Sequence, residues 1–259
     1  MYIASIGEIF LKGKNRINFE RKLMRNIRSI LNINPNDLLK FRNRYIIKSE
    51  IEPKNIKKVF GLIFYTKVIE SKLENINNSA LSLILNEKTF RITTKKSVNI
   101  KKSSQTINEE LGAYIISKIP NIKVDLDNSD IDIRLEEINN RFYLYKASDI
   151  VRCLGGLPVG TGGFVHLRVK NEVNSTVTGF LLMKRGCMIS LSKDLSLLHK
   201  FESGFNIRIR EEKTTDILAT DETYENFEFN QSDKFILKPL IGYTKKEIEE
   251  IYNLVKEII

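Results

Sequence analysis

The sequence predicts two α+β units followed by a shortened, doubly wound α/β module. Three observations carry this. The 259-residue length accommodates two or three small cores. In the first 150 residues, apolar spacing switches between period two and period 3.6. From Gly155 to Gly186 the chain reads GGLPVGTGGFVHLRVKNEVNSTVTGFLLMKRG, a glycine-rich entry, a strand, a polar turn and an apolar helix. Such a frame is where α/β proteins place anions, because free N–H groups at a helix start attract negative charge.

The bulk chemistry narrows the function classes. No run of about 18 apolar residues exists, so a membrane span is not expected. The start, MYIASIGEIFLKGK, carries Glu8 within its apolar stretch and does not read as a secretory signal. A cytoplasmic protein is expected. Two cysteines, Cys153 and Cys187, are too few for a disulfide framework and read as unrelated thiols. Neither His166 nor His199 has a paired-ligand spacing, so no metal site is expected. The formal net charge of +10 favours a polyanionic partner. Met1–Glu50 holds eleven basic residues against four acidic ones, and residues 91–108 carry Arg91, Lys95, Lys96, Lys101 and Lys102 with no acid.

Taken in order, Tyr2–Ile6 alternates as a first strand, broken by Gly7-Glu8. A helix is predicted from about Asn15 to Leu31, with Phe19, Leu23, Ile27 and Leu31 on one face and Arg21, Lys22, Arg25 and Arg28 on the other. A strand over Arg44–Ile51, a short helix over Lys54–Phe60 and a strand over Ile63–Val68 complete a ferredoxin-like unit, residues 1–68. Lys12 between two glycines, with Lys14 and Arg16 following, offers backbone and cations to a phosphate; the alternative is a solvated loop.

The next unit, residues 69–150, opens on a polar stretch, Glu70–Asn78, read as linker or helix start. Phe90–Thr93 is a strand leading into the basic loop. Ser103–Thr106 offers caps for a helix from about Ile107 to Ile119, stopped by Pro120. Strands over Ile131–Glu137 and Arg141–Ser148 flank the tight-turn pair Asn139-Asn140. The loop lysines would touch phosphates without reading sequence.

Residues 151–163 read as a linker and 164–259 as the third module. Phe164–Val169 is strand-like, Lys170–Ser175 a polar turn, and Val177–Met183 a helix closed by Lys184-Arg185-Gly186. Further strands are predicted at Met188–Leu191, Phe205–Ile209 and Asp216–Thr220, with a short helix at Leu195–Phe201. A last helix begins at Thr244 or Lys245, carrying Ile248, Ile251, Tyr252 and Val255 on one face.

Several of these stretches resemble the tRNA 4-thiouridine synthetase family of sulfurtransferases, also linked to thiamine biosynthesis. GGLPVGT (Gly155–Thr161) and MKRG (Met183–Gly186) look like its junction into a PP-loop, adenine nucleotide alpha hydrolase-like domain. GEIFLKGKNR (Gly7–Arg16) resembles its ferredoxin-like domain. VDLDNSDIDI (Val124–Ile133) with its hairpin resembles the RNA-binding THUMP domain, and KPLIGYTKKEI the segment near the end of the ATP domain.

The resemblance implies tRNA as partner, its acceptor stem and 3′ end held by the first two modules. RNA-contacting candidates are Lys12, Lys14, Arg16, Arg91, Lys95, Lys96, Lys101 and Lys102. The SGGxDS loop of the family is replaced at Lys170, Asn171, Glu172, Asn174 and Ser175. Glycine lets backbone approach pyrophosphate, and Glu172 adds a carboxylate beside a polyanion. Two unit charges about 4 Å apart near a surface repel by roughly 4 kcal/mol. Only about 73 residues follow Gly186, and no cysteine or rhodanese-like domain follows the PLIG segment. These departures predict a non-catalytic tRNA-binding protein without a cofactor, assisting a separate modifying enzyme, with homodimerisation weakly implied. The alternatives are an ATP- and magnesium-dependent tRNA thiolation enzyme supplied with sulfur in trans, and a general RNA-binding protein.

Overall fold

A computed structural model describes residues 1–95, 102–212, 216–227 and 233–258. Lys96 and Lys101 lie outside the described residues. The first sheet takes β1 (Tyr2–Ile6), β2 (Leu38–Lys40), β3 (Arg44–Ile47) and β4 (Leu62–Lys67), with α1 (Arg16–Leu31) in between. The second takes β5 (Ile69–Ser71), β6 (Thr89–Lys95), β7 (Lys123–Val124), β8 (Ile131–Ile138) and β9 (Arg141–Lys146), with α2 (Ile76–Leu81) and α3 (Ser104–Lys118). β10 (Val151–Arg152) returns to the first sheet, whose order is β10-β4-β1-β3-β2. The third holds β11 (Phe164–Arg168), β12 (Met188–Leu191), β13 (Arg208–Ile209), β14 (Ile217–Thr220) and β15 (Phe235–Leu237), with α4 (Glu172–Lys184) and α5 (Lys245–Glu257).

By compactness the chain falls into two units: Met1–Ala4, Leu39–Glu52 and Phe64–Val151 form one, and Ser5–Leu38, Pro53–Ile63 and Arg152–Ile259 the other. In the first, β6 runs parallel to β7 and β8, while β8 and β9 form an antiparallel hairpin. Asn139 and Asn140 join them at φ 52° and 60°, left-handed values that asparagine tolerates and that suit the strand twist. The Ser103 hydroxyl accepts the Thr106 N–H at 2.9 Å, starting α3, which packs Ile107, Leu111 and Ile115 among Phe90, Ile133 and Leu135. Arg44 makes a bidentate pair with Glu136 at 2.7 and 2.9 Å, and Tyr145 donates to the same carboxylate at 2.8 Å.

In the second unit, five parallel strands lie in the order β13-β12-β11-β14-β15. Numbered within the module this is 3-2-1-4-5, the doubly wound arrangement whose direction of winding reverses between β11 and β14. A 3-10 turn, Ser196–Phe201, stands between β12 and β13, and no helix joins β13 to β14 or β14 to β15 among the described residues. Phe60, Phe180 and Phe201 meet with ring centroids 5.4, 5.5 and 5.4 Å apart, two of the pairs edge-on. Such edge contacts add about 0.5–1.5 kcal/mol each beyond area burial.

The shared presence of GGLPVGT and MKRG has a physical cause. The N–H groups of Gly160, Thr161 and Gly162 all converge on the Gly186 carbonyl, at 2.8, 3.0 and 2.8 Å, and Leu157 N–H donates to Lys184 O at 2.9 Å. Gly156, at φ +74°, lies so close that a Cβ would fall 2.3 Å from the Lys184 carbonyl oxygen. The segment is clamped on the end of α4.

Some expected elements differ. The Arg44 strand ends at Ile47, and Lys54–Lys58 and Ser196–Phe201 are 3-10 turns. The polar stretch after Ile69 starts as strand β5, paired to β9. Most consequentially, the polar turn expected over Lys170–Ser175 is mostly helix: α4 begins at Glu172, with Asn171 as N-cap. Among the described residues no helix is long and apolar enough to cross a membrane.

Candidate functional site

The α4 N-terminus sits at the carboxyl ends of β11 and β14, the crevice where a doubly wound sheet places its ligand. Asn171 leaves β11 extended (φ −110°, ψ 128°) and its side-chain oxygen accepts the Asn174 N–H at 3.0 Å. Asp221 follows β14 directly, and its side chain enters the crevice, 3% exposed. One carboxylate oxygen accepts the N–H of Asn171 at 2.7 Å, the N–H of Lys170 at 3.2 Å and the hydroxyl of Ser175 at 2.6 Å. These are the donors and the helix-end field that would hold a phosphate oxygen. The chain fills its own anion seat.

Glu222 is also buried, at 2% exposure, and is flanked by Lys170 at 3.4 Å and Lys238 at 2.5 Å. Lys238 opens the KPLIG segment, so that motif supplies a cation to the same crevice. Two adjacent buried carboxylates stand here, each bonded to neighbours. A phosphate oxygen brought to this seat would meet the Asp221 carboxylate, which already takes these donors.

The five loop candidates thus divide. Lys170 and Asn171 give N–H groups to Asp221, and Ser175, fully buried, gives its hydroxyl. Asn174 donates its amide to Asp221 O at 3.4 Å. Glu172 is exposed in the first helical turn, where its charge favours the helix. The carboxylates in the crevice come from Asp221 and Glu222 rather than Glu172. Sequence reading missed Asp221 because it lies 46 residues from Ser175; its position directly after a β14-type strand was the available signal.

Neither cysteine is prepared for thiolate chemistry. Burial pushes the Cys153 thiol up to about 12 and also raises that of Cys187, whose sulfur donates to Gly162 O at 3.4 Å.

The basic candidates have varied settings. Lys12 lies 5.3 Å over the Phe19 ring, and exposed Phe10 and Leu11 precede it. Lys14 is exposed. Arg16 pairs with buried Glu20 at 2.7 Å. In the other unit Arg91 is tied to Asp132 at 2.7 Å and to Leu126 O at 3.0 Å. Lys102 meets Glu110 at 2.7 Å, and Lys95 is exposed at the end of β6. The acid-free run in sequence is therefore partly neutralised by acids from elsewhere in the fold.

Comparison with known proteins places these observations. Residues 1–65 match the family model of the ThiI ferredoxin-like domain, and residues 70–146 that of the THUMP domain. A probable tRNA sulfurtransferase of Mycoplasmopsis agalactiae is 37% identical over 196 residues, covering 73% of this chain and 50% of that protein. One from Mycoplasmopsis synoviae is 31% identical over 246 residues, covering 89% and 64%. The chain spans about half the length of most curated relatives it matches. Among solved structures, PH1313 from Pyrococcus horikoshii Ot3 superposes with a TM-score of 0.82 at 23% identity, over 98% of this chain and 99% of that one. A 4-thiouridine synthetase solved as an RNA complex with bound ATP gives 0.78 at 24% identity, over 98% and 84%. The fold is shared across almost the whole chain.

Proposed function

We propose, for a chain that carries the ThiI ferredoxin-like and THUMP domains and resembles the tRNA sulfurtransferases, that it binds tRNA without itself thiolating it. The first two domains hold the acceptor stem and 3′ end, and the α/β module serves a separate tRNA-modifying enzyme as a docking body. Relatives named for action on tRNA support the substrate class, and a net charge of +10 suits a polyanion. Lys14 and Lys95 touch phosphates in this reading.

The observation that carries the non-catalytic half is the buried Asp221 carboxylate on the α4 N-terminus, bonded to Lys170, Asn171 and Ser175. The test is direct. Purified protein is mixed with tRNA, ATP, magnesium and a persulfide donor, and the tRNA is digested and assayed for 4-thiouridine. No thionucleoside is expected, while a gel shift shows the tRNA bound, more weakly when its 3′ CCA is removed. Thionucleoside formed by the protein alone would overturn the reading, and equal binding of trimmed tRNA would remove end recognition. Lys14→Ala with Lys95→Ala should reduce the salt slope of tRNA binding by about 0.9 for each phosphate no longer neutralised.

A further inference from the structure

A cleft of about 710 Å³ opens at the other end of the parallel strands from the α4 seat. Phe164 and Met188, the first residues of β11 and β12, line it, whereas α4 follows the last residue of β11. Phe205, Arg208 and Arg210 supply another wall, and Ser29 of α1 and Asn206 add polar groups. The volume falls within the range of small-molecule sites, about 300–1,000 Å³.

The chemistry of this cleft is specific. Arg208 is exposed and enters no ion pair among the described residues, so its charge is available to an anion. The Arg210 guanidinium lies 5.9 Å over the Phe164 ring, a cation–π arrangement that leaves its donors for a ligand. Glu202 also lines the cleft, yet its carboxylate is already engaged by Ile207 N–H at 2.7 Å and His199 Nδ1 at 2.9 Å. That engagement fixes the loop, as does Gly204 at φ +71°, where a Cβ would come within 3.1 Å of the Asn26 side-chain oxygen. Aromatic faces, free guanidinium donors and a fixed loop together match a planar ring joined to a phosphate.

The geometry points to this cleft as a nucleotide site, taking the base against Phe164 and Phe205 and the phosphate on Arg208 and Arg210. The nucleotide is a free mononucleotide or an unpaired residue of a bound RNA. The site stands apart from the α4 seat and does not depend on the tRNA-binding reading.

Fluorescence anisotropy with labelled oligouridylate, and calorimetry with AMP, test it on the full chain. Binding of either probe is expected, with AMP alone indicating a free nucleotide and oligouridylate alone indicating RNA. Arg208→Ala with Arg210→Ala should weaken the bound probe at least tenfold, and for oligouridylate should lower the salt slope by about 0.7, for the one single-strand phosphate the pair neutralises. Phe164→Leu should weaken it severalfold. If neither probe binds, or if the double arginine variant melts with the wild type and binds both equally well, the proposal fails. Should the variant melt lower, ultraviolet crosslinking of wild-type protein to oligouridylate, or to 8-azido-AMP where only AMP binds, decides: attachment at Phe164 or Phe205 supports the site, and attachment only elsewhere overturns it. If the double variant binds both probes like the wild type while the tRNA gel shift persists in both, this proposal falls and the main functional reading stands.

Discussion

Two helix N-termini in the same unit solve the same problem in different ways. At α5 the solution is local: Thr244 Oγ1 accepts the Glu247 N–H at 3.3 Å, and the Glu247 carboxylate accepts the Thr244 N–H at 2.8 Å. That reciprocal bonding lies at the surface and holds the Glu247 carboxyl below its usual range. At α4 the N-cap Asn171 is also local, but the charge comes from Asp221, 50 residues later in sequence and buried. A helix that needs only capping takes it from its own first turn. At α4 a carboxylate from the residue after β14 takes the donors at the crevice end of the helix.

Breaking the imported charge should have the largest effect. Asp221→Ala leaves the buried Ser175 hydroxyl and the Lys170 and Asn171 N–H groups without their acceptor, and at about 1–3 kcal/mol for an unsatisfied buried group should cost roughly 1–3 kcal/mol in urea unfolding. The same variant should gain stabilisation by sulfate or phosphate that the wild type lacks, because an external anion can then enter. Equal anion effects on both proteins would mean the seat is not shaped for an anion. Asn171→Ala should cost about 1 kcal/mol, through removal of the cap at Asn174. Thr244→Ala should cost a similar amount, about 0.5–1 kcal/mol, since both caps lie at exposed residues. If Thr244→Ala proved more damaging than Asp221→Ala, the ranking of local against imported capping would be wrong.

The two histidines give the smallest and most easily separated signals. His199 is held between Asp194 at 2.7 Å and Glu202 at 2.9 Å, and the Asp194 bond first, then Glu202, raises its pKa against a smaller desolvation effect. Its contribution is fully present below the unfolded value near 6.5 and is lost as pH rises through the higher folded value. His166, central in β11 and fully buried, bonds Ser190 Oγ at 2.9 Å, and burial lowers its pKa. There the unfolded chain takes the proton more readily, so stability falls as pH drops below about 6.5 towards the lower folded value. His199→Gln should flatten the stability profile above pH 6.5, and His166→Gln should flatten it below. Exchange of those two windows between the variants would contradict the assignments.

Local signals made much of this fold readable. The Phe19–Leu31 stripe placed α1, the Asn139-Asn140 pair placed the β8–β9 hairpin, and Thr244 placed the start of α5, because each depends on neighbours within a few residues. The 3-10 character of Lys54–Lys58 and Ser196–Phe201 was not readable, since apolar spacing over so short a run does not distinguish one helical form from another. The start of α4 was obscured by the expectation of a loop: Asn171-Glu172 reads as polar turn until the cap at Asn174 is seen. Asp221, and the acids that neutralise Arg91 and Lys102, belong to contacts between distant parts of the chain, where sequence spacing carries no geometric information.

The central claim, that the α4 seat is taken by Asp221 and closed to nucleotide phosphates, is tested most directly by calorimetric titration of wild-type and Asp221→Ala protein with magnesium pyrophosphate. The account predicts no saturable heat in the wild type and a saturable isotherm in the variant. Tight binding by the wild type, abolished rather than gained on removing Asp221, would contradict it.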